Sequence, residues 1–230
     1  MSQNGPGEGG YGEGARPREG RRGAAREPVF TGPWPAVLLA GLILALYFWQ
    51  RQFADQTAIY QRFGMVRGGE PLRLVTSMFV HGNWAHAVLN ALGALAFGAG
   101  VSQLFGTRLW GALAFYAFFL VCGAVAGLGH VALSPSDSWL VGASGGIAGL
   151  MGAASRLLDR RRDGRLAPFT SPTVLGMAGA WIVLNLIFAV VGFPLAGGQP
   201  IGWQAHLVGY AAGLLLIGPV HAVLRIDSAA

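Results

Sequence analysis

The sequence predicts an all-α membrane protein, a bundle of six transmembrane helices with a long first loop. Of its 230 residues, 53% are hydrophobic and only 11% are charged, whereas about 25% of the residues in a soluble domain are charged. The apolar residues come in runs of roughly 17 to 25, long enough to cross the ~30 Å hydrocarbon core of a bilayer as helices. Lipid offers the backbone no hydrogen-bond partner, so such runs must be helical. A soluble enzyme and a disordered regulator are therefore excluded.

The first 30 residues differ in composition from the rest of the chain. They are rich in Gly, Arg and Glu and contain almost no apolar side chain before Val29. Such a segment buries too little apolar surface to offset its ordering entropy, so residues 1–30 are predicted to form a disordered tail. The segment is too long and too acidic for the n-region of a cleaved signal peptide, and we expect it to stay on the protein.

Six apolar runs make up the predicted membrane domain, residues 31–225, which a short tail of residues 226–230 follows. No run carries Asp, Glu or Arg in its apolar middle, as expected where side chains meet lipid. Tryptophans lie at or near the run ends, the depth of the lipid headgroups. The runs are Trp34–Gln50, Trp84–Phe105, Leu109–Leu133, Leu140–Leu158, Thr173–Ala196 and Trp203–Leu224.

The distribution of arginine predicts the orientation of the chain in the membrane. All sixteen basic residues are arginine, and with six spans twelve of them fall on one side. The positive-inside rule then places both termini in the cytoplasm. Because the arginines are spread between apolar spans and form no contiguous basic face, nucleic acid is not an expected partner.

The first loop, about residues 51–80, interleaves apolar and polar residues. A freely solvated loop does not need Phe53, Ile59, Phe63 and Phe79. This stretch is therefore predicted to lie partly in the membrane interface or against the helices. A membrane-hugging connection is favoured over a lateral gate.

Polar side chains inside predicted spans are costly and mark candidate functional residues. Near the outer end of span two, His86 and Asn90 are four residues apart and share one helix face. Both side chains can donate hydrogen bonds, so together they can hold a developing oxyanion. A metal site is the weaker interpretation, because the spacing of His81 and His86 does not align them and no carboxylate or thiol lies nearby.

Ser144 opens span four within the fragment GASGG. Gly145, Gly149 and Gly152 form a stripe of small residues that lets another helix approach closely. The fragment also matches G-x-S-x-G, but that nucleophile motif requires a strand-to-helix turn above a sheet, and no sheet is predicted. Taken alone, this cluster favours helix packing over catalysis.

Near the outer end of span six, His206 precedes a second face of small residues, Gly209 and Gly213. Two glycine faces predict a close pair of helices, which brings Ser144 and His206 to one depth and within hydrogen-bond reach. A serine becomes a useful nucleophile when an adjacent imidazole takes its proton. Because no Asp or Glu lies at that depth, a serine–histidine dyad is expected rather than a triad.

Three motifs thus follow one another in spans two, four and six: His81-x4-His86-x3-Asn90, Gly142-Ala143-Ser144-Gly145 and Ala205-His206-x2-Gly209-x3-Gly213. In this combination and order, the chain resembles the rhomboid intramembrane serine proteases over about residues 34–224. The resemblance implies a rhomboid-like bundle in which Ser144 is the nucleophile and His206 the general base. His86, Asn90 and the backbone N–H of Ser144 are implied as the oxyanion hole, and the supporting positions are His81, Gly142, Gly145, Gly209 and Arg73, the last matching an arginine of the family's first loop.

The resemblance also carries expectations about partners and place. It implies single-span or polytopic membrane proteins as substrates, cleaved at small residues near the outer face of a bacterial-type inner membrane. No cofactor and no metal is implied. Span five and the loop before span six are implied as a gate. The polarity of His81, Gln199 and Gln204 separately suggests that they line the entry of water to the site.

Three positions depart from the family pattern. Leu72 stands where a tryptophan is frequent and Ser102 where a glutamate is common. Ala148 replaces an aromatic residue that stacks on the catalytic histidine, so either another aromatic residue, Trp203 or Trp84, is expected to hold His206, or the histidine is held less firmly. None of the departures removes a catalytic atom.

Two other functions compete with proteolysis. A non-proteolytic rhomboid-like protein binds or sorts membrane helices, but such relatives usually lack the serine or the histidine. A small transporter also has Gly-rich helices and intramembrane polar residues, but the chain contains no internal repeat and no acidic intramembrane residue. The sequence favours the protease.

Overall fold

A computed structural model describes residues 32–53, 55–134, 138–159, 164–192 and 201–227. Within these ranges the chain forms eight α-helices and no strand. The predicted disordered tail, residues 1–30, lies outside them, as do Gln199 and most of the loop before span six. The helices are α1 (Trp34–Gln50), α2 (Gln56–Phe63), α3 (Arg73–Thr76), α4 (Trp84–Phe105), α5 (Leu109–Leu133), α6 (Ser144–Leu158), α7 (Pro172–Val191) and α8 (Trp203–Asp227).

Four of the described helices, α4, α5, α7 and α8, are long and apolar enough to cross a membrane. Helix α1 is apolar but has 17 residues, and α6 has 15. At 1.5 Å per residue they measure about 26 and about 23 Å, less than the hydrocarbon core. The chain is thus a multi-pass helical membrane protein, and the count of six spans stays a prediction.

Two helix boundaries differ from the predicted runs by four residues or more. Span four was expected to begin at Leu140, but Leu140 instead exchanges two backbone hydrogen bonds with Met65, at 3.0 and 2.8 Å. Gly142 then adopts a φ of +112°, a conformation outside the helical region, and α6 begins only at Ser144. Helix α7 stops at Val191 instead of Ala196, and the next residue, Gly192, has a φ of +75°.

Helix α6 lies at the centre of the bundle, with every residue from Gly145 to Ser155 buried. It packs against α4, α5 and α8, and its glycines allow backbone contact with α8. A Cβ at Gly149 would lie 3.2 Å from the Gly209 oxygen, and one at Gly152 would overlap the Tyr210 carbonyl. This central helix carries Ser144 at its first position.

Helix α7 differs from the others because it is peripheral. In α7 only Val174 and Asn185 are buried, and residues such as Val190 are largely exposed. The helix begins at Pro172, where the Ser171 hydroxyl caps it by accepting the Val174 N–H at 3.2 Å. Most of its surface is therefore available to lipid.

The first loop folds against the helices through backbone contacts. Arg73 of α3 donates from Nη1 to the Gln61 carbonyl at 2.8 Å, and the Thr76 hydroxyl donates to the Phe63 carbonyl at 3.0 Å. Met78, in the short 3-10 turn after α3, is buried in the main core. These contacts fix the segment that leads into α4.

Candidate active site

Ser144 is the first residue of α6, and its surroundings follow from that position. Gly142 donates its N–H to the Ser77 carbonyl at 2.9 Å, which fixes the chain just before the serine. The N–H groups of the first helical turn have no acceptor within the helix, and the positive end of the helix dipole lies there. A negative charge that develops beside Ser144 is therefore stabilised by the backbone.

His206 lies beside Ser144 because α6 and α8 pack closely. The Ser144 Oγ and the His206 Nε2 are 2.8 Å apart, a hydrogen-bond distance. The contact lies next to the glycine pair: a Cβ at Gly209 would stand 3.0 Å from the Gly145 carbonyl carbon. Small residues at this crossing thus allow the two polar side chains to meet.

The second ring nitrogen of His206 also has a partner. Its Nδ1 lies 2.8 Å from the Oδ1 of Asn185 in α7. The aromatic ring beside His206 is Trp181 of the same helix, with ring centroids 5.7 Å apart. The expectation that Trp203 or Trp84 holds His206 is therefore wrong, and Trp84 packs edge-to-face on Tyr47 at 4.9 Å.

Asn185 and Trp181 are the residues of the site that the sequence analysis did not single out. The two residues are four apart, so they share one face of α7. Their spacing, a polar residue and a tryptophan four apart in an apolar run, is the feature of the sequence that could have indicated a shared role. Nothing local to α7, however, indicates which helix that face meets.

His86 and Asn90 converge on the backbone that precedes Ser144. The Asn83 side chain caps α4 by accepting the His86 N–H at 2.8 Å, which fixes where the histidine lies. A Cβ at Gly142 would overlap the His86 ring and lie 3.6 Å from the Asn90 Nδ2. That Nδ2 is buried and has no hydrogen-bond partner among the described residues. A buried donor without an acceptor beside the serine is suited to an anion that forms only during a reaction.

The orientation of His86 favours the same role. Its Nδ1 faces the Gly82 N–H at 3.5 Å. A neutral ring that accepts on Nδ1 carries its hydrogen on Nε2. The Nε2 is the atom that lies against Gly142, so the donor faces the site.

His81 does not take the place expected for it. Its side chain is fully buried and is absent from the cavity wall, so the expectation that it lines a path for water is wrong. The ring packs edge-to-face against His86, with centroids 5.1 Å apart. The Gln50 amide makes two hydrogen bonds with the backbone of His81, at 2.9 and 3.0 Å. It thereby fixes the position of His81, which packs on the His86 ring.

A cavity of about 1180 Å³ opens onto these residues. Its wall includes the polar groups of the site and Gln204, together with apolar residues of α4, α6 and α7. Within the described ranges, no group of three or more His, Cys, Asp or Glu side chains is placed to hold a metal ion. The polar residues of the candidate site that line this cavity are His86, Asn90, Ser144, Asn185 and His206.

Comparison with known proteins decides the family. The family model of the Rhomboid domain matches residues 68–222, which include every candidate site residue. The chain belongs to the rhomboid family. The resemblance predicted from the three motifs is thereby confirmed.

Two relatives show how this rhomboid compares with known members. It is 25% identical over 151 residues to YdcA of Bacillus subtilis (strain 168), a candidate rhomboid protease, a match that covers 66% of this chain and 68% of YdcA. It is 37% identical over 89 residues to the mitochondrial RHOMBOID-like protein 6 of Arabidopsis thaliana, which covers 39% of this chain. The second match spans only 27% of the plant protein.

Proposed function

We propose that this rhomboid is an intramembrane serine endopeptidase that cleaves peptide bonds in or near the transmembrane segments of other membrane proteins. The observation that carries the proposal is the 2.8 Å contact between the Ser144 Oγ and the His206 Nε2. The contact lies on the wall of a cavity, in a chain whose helices are apolar enough to lie in lipid. A serine paired with an imidazole at this distance is the arrangement of an activated nucleophile.

The chemistry follows from the two atoms. The Ser144 Oγ attacks the scissile carbonyl carbon while the His206 Nε2 takes the hydroxyl proton. The tetrahedral intermediate collapses as His206 returns that proton to the leaving amine, which breaks the peptide bond and leaves an acyl ester on Ser144. A water molecule then attacks the ester with the same histidine as base, and the carboxylic acid is released.

The oxyanion of the tetrahedral intermediate is stabilised by three donors. These are the Nε2–H of His86, the Nδ2–H of Asn90 and the backbone N–H of Ser144. The support for this role is the Asn90 Nδ2, which lies beside Gly142 and has no hydrogen-bond partner in the part of the chain that the structure describes. A donor that has no acceptor at rest strengthens its interaction only in the transition state, which is the condition for catalysis.

Six membrane spans, cytoplasmic termini and a bacterial-type inner membrane complete the proposal. Twelve of the sixteen arginines lie outside the first loop, on the side that the positive-inside rule assigns to the cytoplasm, and this supports the orientation. In this orientation Ser144 lies toward the outer face, at the start of α6. The substrates are single-span or polytopic membrane proteins, and the apolar part of the cavity wall is suited to side chains that leave lipid.

Cleavage of a tagged single-span reporter by the purified protein in liposomes tests the proposal. We expect cleavage by wild type and none by S144A or H206A. Ser155→Ala is a matched control, because Ser155 lies buried on the same helix and donates to the Gly152 carbonyl at 2.7 Å, away from the cavity. That variant should cleave like wild type.

A serine-reactive fluorophosphonate separates inactivity on one reporter from an absent active site. Labelling of wild type that is lost in S144A supports the proposal even where a reporter is not cleaved. If wild type neither cleaves nor labels, the proposal is wrong. A protein that binds or sorts membrane helices then becomes the better interpretation.

Replacement of Asn90 tests the oxyanion hole. We expect Asn90→Ala to lower kcat by about 10²–10³, the loss typical of one oxyanion donor, with little change in KM. Ser102→Ala on the same helix is the control, because Ser102 is buried and donates to the Ala99 carbonyl. A wild-type kcat for Asn90→Ala would remove this amide from the oxyanion hole.

A further inference from the structure

Asn185 is the one buried polar residue of α7, a helix that is otherwise exposed over most of its length. Its side chain is 1% exposed, and it lies in the middle of an apolar segment that can cross a membrane. A polar group in such a place is costly unless its hydrogen bonds are satisfied. Its partners therefore indicate what the residue is for.

Both ends of the Asn185 amide are engaged. The Nδ2 donates to the Trp181 carbonyl one turn earlier at 2.8 Å, and the Oδ1 faces the Nδ1 of His206 at 2.8 Å. The first bond fixes which way the amide points, because a flipped amide would set its oxygen against a carbonyl oxygen. The group presented to His206 is therefore an acceptor.

An acceptor at Nδ1 determines the tautomer of the imidazole. A neutral ring carries one hydrogen, and here Nδ1–H donates to the Asn185 Oδ1. The Nε2 is then left as an acceptor, and it lies 2.8 Å from the Ser144 hydroxyl. This is the protonation that a general base requires.

We propose that Asn185 is a positioning residue that completes a Ser144–His206–Asn185 triad by holding His206 in its base-competent tautomer. The logic is that of the Cys-His-Asn arrangement, in which an amide takes the place of the carboxylate of a Ser-His-Asp triad. The expectation of a simple dyad is thereby extended by a residue from a third helix. The inference rests on the proposed protease function.

Trp181 holds the same histidine at a second point. Its indole Nε1 donates to the His206 carbonyl at 3.3 Å, and its ring lies beside the imidazole. One face of α7 thus contacts both the backbone and the ring of His206. This explains how the histidine is held although Ala148 offers no aromatic ring.

Kinetics of three variants in liposomes test the inference. Asn185→Leu keeps the branching of the side chain at Cγ but replaces the acceptor oxygen with a methyl group. We expect kcat to fall about ten- to hundredfold, the contribution of one hydrogen bond to a group that becomes charged, with KM within about twofold of wild type. Asn185→Asp, as a neutral carboxylic acid, donates its O–H to the Trp181 carbonyl and retains an acceptor oxygen at the Oδ1 position, so it should recover most of the lost kcat. Val183→Leu is the control, because it places the same side chain on a part of α7 that is 56% exposed.

The outcomes separate this inference from the function on which it rests. Wild type that neither cleaves nor labels with fluorophosphonate overturns the protease proposal and the triad with it. An active wild type with an unimpaired Asn185→Leu overturns the triad alone. An Asn185→Asp variant as slow as Asn185→Leu also overturns the triad, because an acceptor at this position would then give no more activity than a methyl group. Thermal unfolding of each variant identifies a loss of kcat that comes from unfolding, which also counts against the triad.

Discussion

Gly209 lies where the backbones of α6 and α8 touch, one turn from His206. A Cβ built there would be 3.0 Å from the Gly145 carbonyl carbon, closer still to its oxygen, and 3.3 Å from the Ala126 Cβ. Ordinary contact begins at 3.4 Å, and two of these neighbours are backbone atoms that no rotamer can move. In Gly209→Ala the two helices must therefore separate by about 1 Å, the order of misplacement that already costs catalysis.

This separation acts directly on the candidate dyad. Ser144 precedes the crossing on α6 and His206 precedes it on α8, and their 2.8 Å contact would lengthen beyond the ~3.2 Å reach of a general base. A misplacement of about 1 Å costs about 10²-fold in rate, so kcat/KM for reporter cleavage should fall by that factor. Overpacking should also lower the free energy of unfolding by about 1–3 kcal/mol.

The assay is reporter cleavage in liposomes together with thermal unfolding of the same preparation. Gly100→Ala in α4 is the matched control, because no atom lies within 4 Å of its Cβ position. That variant should keep wild-type activity and stability. If Gly209→Ala retains kcat/KM within about twofold of wild type, close glycine packing is not what brings Ser144 and His206 together.

Two further substitutions probe the backbone around the site. Gly142→Ala should abolish cleavage, since its Cβ overlaps the His86 ring at a φ of +112°. The control is Gly68→Ala, which has a φ of +73° and open space around the Cβ; it introduces the backbone strain alone and should stay active. Equal activity of the two variants would contradict the steric explanation. Gln50→Leu removes both hydrogen bonds to the buried backbone of His81 and should lower the free energy of unfolding by about 2–3 kcal/mol. The unfolding midpoint measures this loss. An unchanged midpoint would show that these two hydrogen bonds do not contribute to stability.

Much of the architecture was predictable because lipid restricts what the chain can do. Apolar runs in a bilayer must be helices, so α1, α4 and α5 have the bounds predicted for them. The stripe from Gly145 to Gly152 and the pair Gly209 and Gly213 likewise indicated a close crossing, since only small residues let two backbones touch. The helix starts were less predictable: α6 begins at Ser144 because Leu140 pairs with Met65, a contact between segments 75 residues apart.

The sequence by itself determined the class of protein, the helices and the family motifs, because each depends on composition or on spacing within one segment. Only the tertiary structure decided the surroundings of His206. Periodicity indicates that Trp181 and Asn185 share a face of α7, but not how that helix is rotated against α8, which depends on packing between them. The same limit applies to His81, whose burial behind His86 follows from the way the first loop folds back on α1.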